Sequence, residues 1–190
     1  MLIGVLALQG DSREHLQLLA RLGVEAIPVK SESELDQVDA LIIPGGESTT
    51  ISKLLVNFGL MQQVRGFAQA KPVLGTCAGL IIISDTVFGA LPDQELIGGL
   101  PVQTERNAYG GQLNSFEGDV LFADGTSENA AFIRAPKIID VGECDVLATL
   151  NNEPVAVQFK NLIGASFHPE LTGATHLHKL FVSFVQAQQS

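Results

Sequence analysis

Through the first half of the chain, short runs of apolar residues alternate with longer stretches in which apolar positions recur every three or four residues. Leu2–Leu8 reads as a buried strand, and Asp11–Leu22 as a helix with an acidic start and Leu16, Leu19 and Leu22 at helical spacing. Val24–Val29 and Ala40–Pro44 read as the next two strands. Thr49–Phe58 and Leu60–Ala70 are expected as helices parted by Gly59, and Pro72–Leu74 as a short strand feeding directly into Cys77. Buried strands separated by helix-period segments predict a mostly parallel α/β sheet with helices on both faces.

After Gly98-Gly99 the pattern changes. Val102–Asn107, Gln112–Phe122, Ala131–Arg134, Lys137–Val141, Val146–Leu150 and Val155–Lys160 are short, alternating and punctuated by Gly, Asn and Pro. They predict a smaller segment of antiparallel strands. Leu162–Phe167 reads as one more buried strand. Ala174–Gln186 carries Leu177, Leu180, Phe181, Phe184 and Val185 at helical spacing, so a terminal helix should cover the sheet. No repeat or linker interrupts the pattern, and residues 1–190 are expected to form one domain.

Composition removes several functional classes. With 46% hydrophobic and 17% charged residues, disorder is excluded. The 11 Lys+Arg against 21 Asp+Glu leave a net charge of −10, which argues against a nucleic-acid or anionic-membrane surface. Cys77 and Cys144 are too few for a disulfide framework, and no CxxC spacing exists. Met1 runs straight into Leu2–Leu8 without a basic leader, and that run is too short to cross a bilayer. The expected setting is cytoplasmic and reducing, where a lone cysteine stays a thiol.

Candidate chemistry begins at Gly75-Thr76-Cys77-Ala78-Gly79-Leu80, where a buried strand turns into a helix. A nucleophile on such a turn needs small neighbours on both sides, which the Gly-x-Cys-x-Gly spacing supplies. A helix starting at the cysteine adds N–H groups and a positive dipole end that favour the thiolate. A buried structural cysteine is equally compatible with the motif taken alone. Phe167-His168-Pro169-Glu170 ends the last strand, and His168 and Glu170, two apart on extended backbone, would face the same way. A cysteine nucleophile needs such a base, and the base a third group to hold its tautomer. Pro44-Gly45-Gly46-Glu47-Ser48-Thr49 follows a strand and precedes a helix, which leaves backbone N–H groups free for a ligand. Ser48 is expected as the N-cap. Cys144 reads as a bystander, His176 and His178 as residues of the terminal helix, and no set of metal ligands is expected.

These three motifs, in this order, resemble the triad-type (class I) glutamine amidotransferases, and more narrowly the glutaminase subunits of two-component pyridoxal 5′-phosphate synthases. The resemblance covers essentially the whole chain, from Val5-Leu6-Ala7-Leu8-Gln9-Gly10 through Arg106-Asn107-Ala108-Tyr109-Gly110 and Phe132-Ile133-Arg134-Ala135-Pro136 to the terminal His-Pro-Glu. Many amidotransferases of this class carry a Gln two residues beyond the second elbow glycine, where this chain has Ile81. The resemblance implies a flavodoxin-like three-layer fold. It implies Cys77 as nucleophile, His168 as general base and acid, and Glu170 as the group orienting His168. It further implies an L-glutamine site lined by Gly46, Glu47, Ser48, Arg106, Ile133 and Arg134, with an oxyanion hole from the backbone of Gly46 and Ala78. A synthase subunit would be the partner receiving ammonia, and the glutaminase itself would need no cofactor. The alternatives are a glutaminase for another synthase, such as imidazole glycerol phosphate synthase, and an inactive regulatory module of the same fold. The Gly45-Gly46 pair also suggests a peptide plane free to rotate, and so a switch on the oxyanion hole.

Overall fold

Each apolar run of the first half becomes a strand whose side chains divide between two cores. In β3 (Ala40–Ile43), Leu41 and Ile43 join one hydrophobic cluster while Ala40 and Ile42 join the other. A strand buried on both faces has no polar side to show, which is why the run reads as continuous rather than alternating. The computed structural model describes residues 1–106 and 115–189. Residues 107–110 of the quoted Arg106 block, and 112–114 of the expected Gln112–Phe122 strand, lie outside the described residues.

The parallel half consists of β1 (Ile3–Leu6), β2 (Ala26–Val29), β3, β4 (Val73–Thr76) and a strand from the far end of the chain. It is interleaved with α1 (Ser12–Arg21), α2 (Glu32–Leu35), α3 (Ser48–Asn57), α4 (Met61–Ala70) and α5 (Ala78–Ile83). Beyond these come β5 (Ser84–Phe88), β6 (Leu100–Glu105), β7 (Phe116–Phe122), β8 (Ser127–Phe132), β9 (Lys137–Asp140), β10 (Asp145–Leu150), β11 (Glu153–Phe159) and β12 (Leu162–Ala165). The chain ends in α6 (Pro169–Thr172) and α7 (His176–Gln188).

The main sheet has nine strands in the order β2-β1-β3-β4-β12-β11-β10-β7-β8. From β2 to β12 the pairs are parallel, and from β12 onward they are antiparallel. The first five strands therefore follow the 2-1-3-4-5 doubly wound order, in which ligands sit outside the carboxyl ends of the strands. The antiparallel segment continues the same sheet, while β5-β6-β9 form a separate three-stranded one. Ile51, Leu55, Val64 and Leu80 from α3, α4 and α5 pack on one face, and Leu19, Leu177, Phe181 and Val185 from α1 and α7 on the other. Among the described residues no helix is long and apolar enough to cross a membrane.

The sequence pattern missed α2, α6 and β5, which are too short to display a period and carry no continuous apolar run to mark them. Two local expectations are corrected. The N-cap of α3 is Glu47, not Ser48: its carboxylate accepts the Thr50 N–H at 2.8 Å and Ser48 is already helical. Glu170 does not lie on extended backbone; it sits in the first turn of α6, with His168 as the residue that caps it.

Two glycines carry opposite expectations. Gly66 lies inside α4, and an added Cβ would meet nothing within 4 Å. Gly66→Ala should raise stability by about 0.5–1 kcal/mol through the unfolded chain. At Gly79 an added Cβ would stand 2.1 Å from the Ile43 carbonyl oxygen, so Gly79→Ala should cost about 1–3 kcal/mol. Urea midpoints of the two variants check this, and a neutral Gly79→Ala would contradict the close approach of α5 to β3.

Candidate active site

Three parallel strands end beside one another, and each delivers one part of the site. After β4 the chain turns through Cys77, whose φ of 48° and ψ of −101° lie where side chains are rarely found. Such a conformation costs about 1–3 kcal/mol and persists only where its surroundings enforce it. Here the Cys77 N–H donates to Ala165 of β12 at 2.8 Å, and the flanking glycines let backbones meet. A Cβ on Gly75 would come within 2.6 Å of the Gly79 carbonyl group. The Cys77 thiol is buried and lies 3.8 Å from the Ile133 carbonyl oxygen.

His168 follows β12. Its N–H donates to the Ala131 carbonyl of β8 at 2.8 Å, which fixes the backbone, and its ring lies against Gly45 where a Cβ would come within 2.2 Å. Nδ1 is 2.8 Å from Glu170 Oε1 and 3.5 Å from Asp11 Oδ2, and the ring faces the Cys77 side chain. Burial alone would lower the His168 pKa. The interactions of the protonated ring with the Cys77 side chain and the Glu170 carboxylate outweigh it and raise the pKa to about 10. Burial would likewise raise the Glu170 pKa, but the histidines facing it, His15 and His168, hold it below its usual value. Cys77, His168 and Glu170 thus stand in the order that a nucleophile, base and orienting carboxylate would need, and Asp11, with a carboxyl raised chiefly by burial, lies beside His168.

The third part follows β3. The Gly45 carbonyl accepts the Asp11 N–H at 3.1 Å, and Gln9 Oε1 accepts the Glu47 N–H at 2.9 Å. Gly46, with φ of 147°, leaves no room for a Cβ, which would stand 2.6 Å from Gln9 Oε1. Glu47 also accepts hydrogen bonds from the Thr49 and Thr50 hydroxyls, and its other oxygen pairs with the Arg106 guanidinium at 2.9 Å. A cavity of about 190 Å³ opens above the thiol, lined by Gly46, Glu47, Ser48, Cys77, Ala78, Ile81, Arg106, Ile133 and Arg134. The Ser48 hydroxyl is buried there with no hydrogen bond among the described residues.

Every residue expected at the site is therefore in one place: six in the cavity wall with Cys77 and Ala78, and His168 and Glu170 behind the thiol. Cys144 is far less reactive in kind, its thiol pushed up to about 11 by burial and by the neighbouring acids Asp145, Asp85 and Glu143. Pattern reading missed four buried or half-buried groups beside the triad: Gln9, Asp11, His15 and Thr76. His178 was placed on the terminal helix and does lie there, but it points inward and meets His15. The signal available was helical phase: His15 falls one residue before Leu16 and three before the buried Leu18.

Comparison with known proteins places this arrangement among relatives. Residues 5–187 match the SNO glutamine amidotransferase family. The pyridoxal 5′-phosphate synthase subunit PdxT of Parafrankia sp. is 47% identical, with 98% of this chain and 94% of the relative covered. The subunit of the same name from Brevibacillus brevis is 47% identical over 100% of both chains. A crystal structure of a glutamine amidotransferase superposes with a TM-score of 0.91 at 43% identity, covering 97% of this chain and 98% of the other.

The titration of the site has a sign that can be checked. A histidine raised from 6.5 to about 10 on folding stabilises the fold through its proton. That contribution is complete below about pH 6.5, shrinks as pH rises, and is gone above about pH 10. The stability gap between the unaltered chain and His168→Gln should therefore narrow from neutral to alkaline pH. His15 is lowered by burial, and His178 is pushed down to about 3 by burial and by His15. Their neutral forms favour folding, so that contribution is lost as pH falls below about 6.5. Denaturant midpoints across pH measure both limbs; a gap that widened toward alkaline pH would contradict a protonated His168.

Proposed function

The chain belongs to the SNO glutamine amidotransferase family, and we propose that it is the glutaminase subunit of a pyridoxal 5′-phosphate synthase, releasing ammonia from L-glutamine for a synthase partner. The observation that carries this reading is the cavity, which joins a thiol beside a histidine to a wall able to recognise a free amino acid. Arg106 and Arg134 offer planar donor pairs to an α-carboxylate, and the Glu47 carboxylate is an acceptor for an α-ammonium.

The reaction follows from the geometry. The Cys77 thiolate, its proton held on His168, attacks the side-chain amide carbon, forming a C–S bond while the carbonyl electrons move to oxygen. The N–H groups of Gly46 and Ala78 stabilise that oxyanion, usually the largest catalytic term. His168, protonated on the ring, gives its proton to the departing nitrogen; the C–N bond breaks and ammonia leaves. Water then attacks the γ-glutamyl thioester while His168 takes a proton from it; the C–S bond breaks, glutamate leaves, and the Cys77 thiolate and protonated His168 are restored. Glu170 on Nδ1 keeps Nε2 as the nitrogen turned to sulfur.

Cys77→Ala should lower glutamine hydrolysis by roughly 10⁴-fold or more while the chain stays folded. A glutamine-like electrophile should label Cys77 and not Cys144, read by peptide mass spectrometry. Labelling confined to Cys144, with hydrolysis intact in Cys77→Ala, would overturn the assignment. Arg106→Ala and Arg134→Ala should act mainly on KM.

Coupling to a synthase gives a separate expectation. The Gly45–Gly46 peptide plane can rotate, exchanging the Gly46 N–H at the oxyanion site for the Gly45 carbonyl. One donor is worth roughly 10²–10³ in rate, so the isolated chain should hydrolyse glutamine slowly and saturating synthase should raise kcat. Equal kcat with and without the partner would sink the gating idea and leave the glutaminase reading standing.

A further inference from the structure

Behind the triad lies a second layer of buried polar groups that the reaction above does not use. Glu170 holds His168 with Oε1, but its Oε2 is fully buried and lacks a hydrogen bond of ordinary geometry among the described residues. Leaving a carboxylate oxygen in that state is costly. His15 Nε2, on α1, stands 3.5 Å from Oε2 and 3.2 Å from the hydroxyl of Thr76, the residue joined to Cys77. His15 Nδ1 lies 2.9 Å from His178 Nε2 on α7, and both histidines are 0% exposed.

Of the two neutral placements of protons, one suits these contacts. A hydrogen on His15 Nε2 is shared between two acceptors, Glu170 Oε2 and Thr76 Oγ1. His15 Nδ1 is then an acceptor, so His178 must carry its hydrogen on Nε2. That leaves His178 Nδ1 as a bare acceptor, in keeping with its having no hydrogen bond among the described residues. The opposite placement would turn a lone pair of His15 toward the carboxylate and bury an unpaired N–H on His178. Burial, the largest influence, and the facing His168 oppose a proton on His15 and outweigh Glu170 and Glu14, which draw one to it, so the neutral ring is favoured.

We propose that His15 is a positioning residue of the glutaminase site, donating its Nε2–H to the second oxygen of Glu170 while His178 fixes its tautomer. The inference rests on the function proposed above. Held at both oxygens, the Glu170 carboxylate cannot turn away from His168, and the His168 ring keeps the orientation that the thiol and the departing nitrogen need. Cys77, His168 and Glu170 are then backed by His15 and His178 in one hydrogen-bonded line.

The test uses the full chain with its synthase. Gln places an amide nitrogen near the position of a histidine Nε2, whereas Asn places one near Nδ1. His15→Leu and His15→Asn should lower kcat roughly 10–100-fold, the range seen when partners behind ligating residues are lost, with KM little changed. His15→Gln should recover most of that loss. Equal kcat for the Asn and Gln variants, or an unaltered kcat for His15→Leu, would overturn the proposal. If the variants do not fold, the unaltered chain decides: long-range ¹H–¹⁵N correlation spectra of ¹⁵N-histidine protein should show His15 and His178 neutral at neutral pH, both with the hydrogen on Nε2. A charged His15, or its Nδ1–H tautomer, would refute it. These spectra do not depend on glutamine turnover, so an unaltered chain that fails to hydrolyse glutamine would reject the functional reading separately.

Discussion

Everything at this site depends on three parallel strands ending level. Ile43 of β3 pairs with Gly75 of β4, Gly75 with Gly164 of β12, and Thr76 with Ala165. With that register, the loop at Gly45, the turn at Cys77 and the segment at His168 leave the sheet side by side. Parallel pairing needs a crossover between each pair of strands, so these neighbours are far apart in sequence, and β12 arrives after the whole antiparallel segment. Because the side-chain period is two, a slip of one residue in β12 would turn Leu162 and Ile163 to the wrong cores and carry His168 out of reach. The apolar division of the strands and the assembly of the site are thus the same constraint.

Electrostatics explains why the region must be so tightly built. Burying a carboxylate or an imidazolium alone is unfavourable by several kcal/mol after relaxation, and a buried pair repays that only when its remaining lone pairs and hydrogens are matched. Glu170 and His168 meet the requirement at 2.8 Å, and both are almost fully buried. Cys77 beside the ring and His15 behind the carboxylate extend the line, and it is Glu170 that balances the charge of His168. Apolar residues would fill the same volume with less risk to stability. What the polar arrangement supplies is a histidine held protonated near neutral pH beside the thiol, as the proposed proton transfer requires.

The legibility of the sequence follows the length of the signal. Strands such as Ala40–Ile43, buried on both faces, and helices with ten residues of clear phase were readable with errors of one or two residues at their ends. Short elements without an apolar run were not, and one of them, α6, carries Glu170. The extended geometry expected for His168 and Glu170 was therefore wrong although their pairing was right: a helix that starts at Pro169 brings the carboxylate back onto the ring. The triad and the cavity residues were readable because each sits in a compact motif of glycines and polar residues at a strand end. Gln9, Asp11, His15 and Thr76 were not, because nothing local marks a polar residue as facing inward; only the packing of α1 and α7 against β4 reveals it.

Those overlooked residues bear on how activity could be controlled. The Gly45 carbonyl is tied to the Asp11 N–H at 3.1 Å, and the Glu47 N–H to Gln9 Oε1 at 2.9 Å, so both peptides flanking Gly46 are held by the loop between β1 and α1. The same loop presents Asp11 to His168 at 3.5 Å and leads directly into the helix that carries His15. A second cavity, lined by Gln9, Gly10, Asp11, Gly46 and His168 among others, lies along it. Rotating the Gly45–Gly46 peptide breaks one backbone hydrogen bond, a net cost of about 0.5–1.5 kcal/mol. One oxyanion donor gained or lost changes the barrier by about 2.7–4 kcal/mol. The structural cost is smaller than the catalytic effect, so a weak force on residues 9–11 suffices to move the rate by orders of magnitude. A contact that strengthens or loosens this loop would act on the oxyanion donors, the base and the layer behind it together, without touching the thiol.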